Sequence, residues 1–211
     1  MSPSTAGRAA LLALLTIWTI RLVPNPHNWN IIGGSFLHLI NLPIHEAGHI
    51  IFSPFGDLMT PLGGSLFQII FPLVFAVAFV RQGDWFSAAA CTWWSGENFV
   101  DVGPYIADAR SLALTLIGGQ TGAEVTGHDW ENILGQLGWL RFDARIGMGA
   151  HIVGSIIMIV SLVVALAALL DRNKVRREGV PVDNKERRQG VPVDNKERRQ
   201  GVPVDSARIG S

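Results

Sequence analysis

The stretch LHLINLPIHEAGHIIF, Leu37 to Phe52, sets two histidines four residues apart, with a glutamate beside the first, inside a run of apolar residues. On a helix His45 and His49 point the same way and can both reach one metal ion, while Glu46 lies beside the open coordination position. A metal held there lowers the pKa of bound water, and a glutamate can take the proton and return it to a leaving amine. The same five-residue pattern arises by chance on soluble helices. Ionisable groups within a membrane segment are costly, however, and persist chiefly where they face a cavity, a partner or an ion. His38, Asn41, His45 and His49 follow one another at spacings of three, four and four, so they form one stripe in which His38 reads as a histidine satisfied in the core. Pro43 should kink this helix just ahead of the motif.

Outward from the motif, the charge distribution is uneven. Of the 17 Lys and Arg residues only Arg8, Arg21, Arg81, Arg110, Arg141 and Arg145 precede Leu170, and that body contains no lysine. Its apolar runs are long enough to cross a bilayer as helices. The segments Ala9 to Leu22, Ile31 to Phe52, Leu62 to Val80, Trp85 to Ile106 and Ala150 to Leu170 predict an all-α, polytopic transmembrane bundle of about five membrane helices. The first could pass for the apolar region of a signal peptide, but without a clear cleavage site it reads as a membrane helix. PNPHNWN, Pro24 to Asn30, and RQGD, Arg81 to Asp84, read as turns. Gly63, Gly64 and Ser65 should let helices approach closely. Asn132 to Met148 is predicted as an amphipathic helix, since Ile133, Leu137 and Leu140 repeat at helical spacing.

Residues 1–170 therefore form a membrane-embedded domain, and 171–211 a separate tail. In the tail REGVPVDNKER, RQGVPVDNKER and RQGVPVD repeat every 11 residues between Arg177 and Asp205. Each unit contains a glycine and a proline, which helix interiors reject, so the tail is expected to be disordered. The single cysteine, Cys91, excludes an internal disulfide and reads as a packing residue. No basic cluster stands outside the lipid region in a way that would bind phosphates, so nucleic acid is set aside as a partner.

A catalytic zinc needs a third protein ligand, and the fourth segment offers a second polar stripe of Glu97, Asp101, Tyr105 and Asp108. Asp101 lies 16 residues into its segment, against 14 and 18 for His45 and His49 in theirs. At about 1.5 Å per residue these share a depth, and Asp108 lies roughly 10 Å further along. The depth argument chooses Asp101, with Asp108 as the alternate. In GHDW, Gly127 to Trp130, His128 and Asp129 could also bring a ligand over the site, but an Asp N-cap ahead of a helix near Trp130 is the simpler reading.

With HEAGH at His45 to His49, GGSLFQ at Gly63 to Gln68 and ENFVDVGPYIADA at Glu97 to Ala109, the chain resembles the site-2 protease-like family of intramembrane zinc metallopeptidases. The resemblance covers about Leu37 to Arg110, and only HEAGH within it is specific. It implies a zinc ion held by His45, His49 and an aspartate, Glu46 as catalytic base, and Gln68 and Asn98 on the substrate side. The implied substrate is a transmembrane or membrane-proximal protein segment, and the implied location is a membrane, the plasma membrane in the first instance. Family order points to Asp108 as the third ligand, but the family's Asp-Gly is here Asp108-Ala109. The basic tail places the motif end of the second segment outside, whereas the family keeps its zinc near the cytoplasmic side. A catalytically idle relative acting as a metal-binding scaffold or chaperone is the alternative function, and ion transport along the polar stripes ranks behind both.

Overall fold

The computed structural model describes residues 5–26, 28–115, 119–124 and 127–177. Contacts divide the chain after Lys174, and the repeats of the C-terminal unit lie outside the described residues. The described elements are helical: α1 (Thr5–Leu22), α2 (Trp29–Ile32), α3 (Phe36–Phe52), α4 (Met59–Arg81), α5 (Trp85–Ala107), α6 (Asp129–Gln136) and α7 (Asp143–Arg177), with 3-10 turns at Ser53–Phe55 and Leu140–Phe142.

Three helical stretches are long and apolar enough to cross a membrane: Thr5–Leu22, Met59–Arg81 and Leu140–Asp171, the last comprising the second 3-10 turn and most of α7. Their outward faces are apolar, with Leu14, Ile17 and Ile20 exposed on α1, Val74 and Val77 on α4, and Ile156 and Val163 on α7. α3, at 17 residues, is about 26 Å long. α5 has 23 residues, but Glu97, Asn98 and Asp101 sit buried in its middle.

Two predicted segments are interrupted. The second does not run unbroken from Ile31, because α2 ends at Gly33 and α3 restarts after Ser35, whose hydroxyl caps the new helix by accepting from the His38 N–H. Pro43 lies inside α3 without ending it. The predicted amphipathic helix is also split. α6 stops at Gln136, Gly138 takes a φ of 68° that ordinary residues avoid, and the chain turns before α7 begins at Asp143.

α4 packs between α3 and α5. Backbones nearly touch where Gly48 of α3 faces Gly63 of α4: a Cβ on either would collide with the other's carbonyl oxygen. The same device joins α5 to α7, where Gly96 faces Gly154 and Gly103 faces Gly147. Small residues allow such contact in the absence of a hydrophobic driving force between helices in lipid. α1 docks on α5 through an ion pair of buried Arg8 with Asp84 at 2.7 Å and a hydrogen bond from Trp93 Nε1 to Thr19 Oγ1 at 2.8 Å. Burial alone would raise the Asp84 carboxyl; hydrogen bonds from Ser87 and Arg8 hold it below its ordinary pKa. The end of α5 is tied to the start of α7 by Arg110 and Asp143, 2.8 Å apart. Cys91 is free and half-buried on α5.

Candidate metal centre

The two histidines of HEAGH share the inner face of α3, where Gly64 on α4 leaves them room. Each ring is fixed from behind. His49 Nδ1 lies 2.8 Å from the Thr60 carbonyl oxygen, which can only accept, so Nδ1 carries the proton and Nε2 is left to face the cavity. His45 Nδ1 lies 2.7 Å from Gln68 Oε1 and is constrained in the same way. The Nε2 atoms meet a carboxylate oxygen from a third element: Asp129 Oδ2 is 3.1 Å from His45 Nε2 and 3.3 Å from His49 Nε2.

Among the described residues, His45, His49 and Asp129 are the group whose ligand atoms come close enough to share one ion, all within 4.8 Å of one another. With ligand bonds near 2.0 Å, two donors on a tetrahedral zinc stand about 3.3 Å apart. The two histidine–carboxylate separations, 3.1 and 3.3 Å, match that edge. Tyr105 grips the same residue twice, accepting from the Asp129 backbone N–H at 3.1 Å and donating to Oδ2 at 3.3 Å. Two imidazoles anchored at Nδ1 and a carboxylate oriented by Tyr105 form a donor set that fits a divalent cation.

The third ligand expected from sequence is thus displaced. Asp101 is buried on α5, and its carboxylate is taken up by His38 Nδ1 at 2.8 Å, Gln68 Nε2 at 3.2 Å and Asn41 Nδ2 at 3.3 Å. The depth count fails: α3 starts at Phe36 rather than Ile31, and Asp101 meets His38 and Asn41 at the early end of α3's polar stripe. Asp108 folds the chain after α5, accepting from the N–H groups of Ala113 and Leu114 and from Ser111 Oγ. His128 is fully buried against the Tyr105 ring and caps α6, its Nδ1 accepting from the Glu131 N–H. Capping does occur at GHDW, but the cap is His128, which leaves the carboxylate of Asp129 free to turn towards α3. The signal was the acidic residue opening a short helix; nothing in hydropathy or spacing tied it to HEAGH.

Gln68 and Asn98, expected to meet substrate, have their amides committed within the protein. Gln68 bridges His45, Asn98 and Asp101, and Asn98 Nδ2 donates to the Trp94 carbonyl. His38, read from sequence as a satisfied core residue, is paired with Asp101 and also lines the cavity. That cavity, about 710 Å³, is walled by His45, Glu46, His49, Tyr105 and Asp129, and extends to Trp29 and Asp57. Glu46 lies exposed on its wall.

No family model matches the chain, and neither the curated proteins nor the solved structures contain a match to it.

Proposed function

We propose that this chain is an intramembrane zinc metallopeptidase, hydrolysing peptide bonds of transmembrane or membrane-proximal segments. One observation carries the reading: the HEAGH imidazoles, anchored at Nδ1 by Gln68 and Thr60, converge on the carboxylate of Asp129, which Tyr105 grips at its backbone N–H and at Oδ2. Such orienting partners are the part of a metal site that chance spacing of two histidines does not supply. His45, His49 and Asp129 would hold the ion at the cavity wall.

Zinc in that position supplies a Lewis acid that brings water into its reactive range near neutral pH. Glu46, exposed on the wall next to His45, is the carboxylate placed to accept a proton from the attacking water and deliver it to the leaving amine. Tyr105 keeps Asp129 oriented through its paired hydrogen bonds. In this reading α3 and α5 act as further membrane-inserted elements of a five-helix bundle beside the three apolar spans. A substrate helix must unwind locally to present its carbonyl, because a helical backbone has its carbonyls already bonded.

The test is zinc content per chain in detergent-purified protein, together with cleavage of reconstituted single-span substrates. Wild type should carry about one zinc, lost in His45→Ala and Asp129→Ala and kept in Asp108→Asn. Glu46→Gln should keep zinc and lose cleavage. Well-folded wild type that takes up no zinc when supplied with it refutes the metal reading; a zinc-loaded wild type that cleaves none of a broad substrate panel leaves the metal-binding scaffold in front.

A further inference from the structure

A buried set of amides and carboxylates lies behind His45, and the polarity of every bond in it is fixed. Trp94 sets that polarity at two points. Its indole N–H donates to Asn41 Oδ1 at 2.9 Å, so the Asn41 amide nitrogen must face Glu97 and Asp101. Its backbone carbonyl accepts from Asn98 Nδ2 at 3.0 Å, so Asn98 Oδ1 must face Gln68. The Gln68 amide nitrogen then stands between two acceptors, Asn98 Oδ1 at 3.0 Å and Asp101 Oδ2 at 3.2 Å. Turning that amide over would place oxygen against oxygen on both sides, so Oε1 is left facing His45 Nδ1 at 2.7 Å.

We propose that Asp101 and Gln68 are positioning residues for the metal centre: Asp101 locks the Gln68 amide, and Gln68 in turn holds the His45 tautomer that presents Nε2 to the ion. This rests on the metal reading above and assigns the buried carboxylate of α5 a task other than ligation or substrate contact. Burial gives the arrangement its force. Gln68, Asn98 and Asp101 are all buried, Gln68 and Asp101 against the cavity wall, so a donor or acceptor left without its partner loses a bond in a low-dielectric setting where it is costly to lose. Removal of a ligand's outer partner typically weakens metal binding by about 10- to 100-fold.

The experiment titrates cobalt(II) into the full-length apo-protein in detergent, reading visible absorption for affinity and coordination, and follows zinc by chelator competition. Gln68→Leu should weaken binding by about 10- to 100-fold. Asp101→Asn should weaken it by about 10-fold, and adding it to Gln68→Leu should cost nothing further, because it acts through Gln68. Gln68→Met, unbranched and adaptable, repeats the measurement should the leucine variant fail to fold. Wild-type cobalt affinity in folded Gln68→Leu or Gln68→Met overturns the proposal, as do losses that simply add in the double variant. Those outcomes leave the metal site standing; failure of wild type to bind any cobalt removes both.

Discussion

Replacing Gly64 with alanine tests the metal centre without touching any of its donors. A Cβ at this position would lie 2.5 Å from His45 Nε2, 2.7 Å from His45 Cδ2 and 2.7 Å from His49 Cε1, where ordinary contact begins at 3.4 Å. His45 Nε2 must therefore retreat by about 0.9 Å, several times the ~0.2 Å within which a zinc–nitrogen bond near ~2.0 Å stays acceptable. It cannot retreat freely, since its other nitrogen is held by Gln68. Alanine is favoured over glycine in a helix by about 1 kcal/mol, and the overpacking costs about 1–3 kcal/mol. Stability should accordingly change by no more than about 2 kcal/mol, while zinc affinity falls by at least about 10-fold. The assay is chelator competition for zinc alongside thermal melting in the same detergent. Gly149→Ala is the control, because a Cβ there meets nothing within 4 Å. If Gly64→Ala bound zinc as tightly as wild type, these imidazoles would not be the ones that hold the ion.

Other consequences follow from the same geometry. Glu46→Gln should lower the cleavage rate by about 100- to 10,000-fold with zinc retained, as loss of a general base does; equal loss of zinc would make Glu46 a structural residue. Gly154→Ala drives a Cβ into the Gly96 carbonyl and should destabilise the α5–α7 contact by about 1–3 kcal/mol, read as a lower Tm in detergent. Asp84→Asn strips buried Arg8 of its charge partner, and because Asp84 is 25% exposed the cost should be about 2 kcal/mol, below the ~3–5 kcal/mol of a fully buried pair. The pH dependence has a definite sign. Asp84's pKa is lowered in the folded protein, so its contribution is present above the unfolded value near ~3.9 and is lost as pH falls through the folded one. Acid melting curves of wild type and Asp84→Asn should therefore converge at low pH; a gap that persisted there would assign the loss to packing.

The apolar helices were legible because their signal is local: length and hydropathy along one segment define Thr5–Leu22, Met59–Arg81 and the core of α7. HEAGH was legible for a similar reason, since two histidines four apart share a helix face whatever surrounds them. The breaks at Gly33 to Ser35 and at Gly138 carried only weak local marks, and the apolar pattern ran straight across both. Asp101 and Asp129 could not be sorted by sequence at all. Asp101 lies between Val100 and Val102 and Asp129 between His128 and Trp130, and neither neighbourhood states the direction in which the side chain faces. Tertiary structure separated them: His38, Asn41 and Gln68 surround Asp101, while the His128 cap and the Tyr105 hydroxyl turn Asp129 towards α3. The sequence by itself located the three apolar helices and set His45 and His49 on one helix face. Which carboxylate stands beside them was decided by contacts between residues far apart in the chain, Tyr105 with Asp129 and His38, Asn41 and Gln68 with Asp101, and local pattern does not encode such contacts.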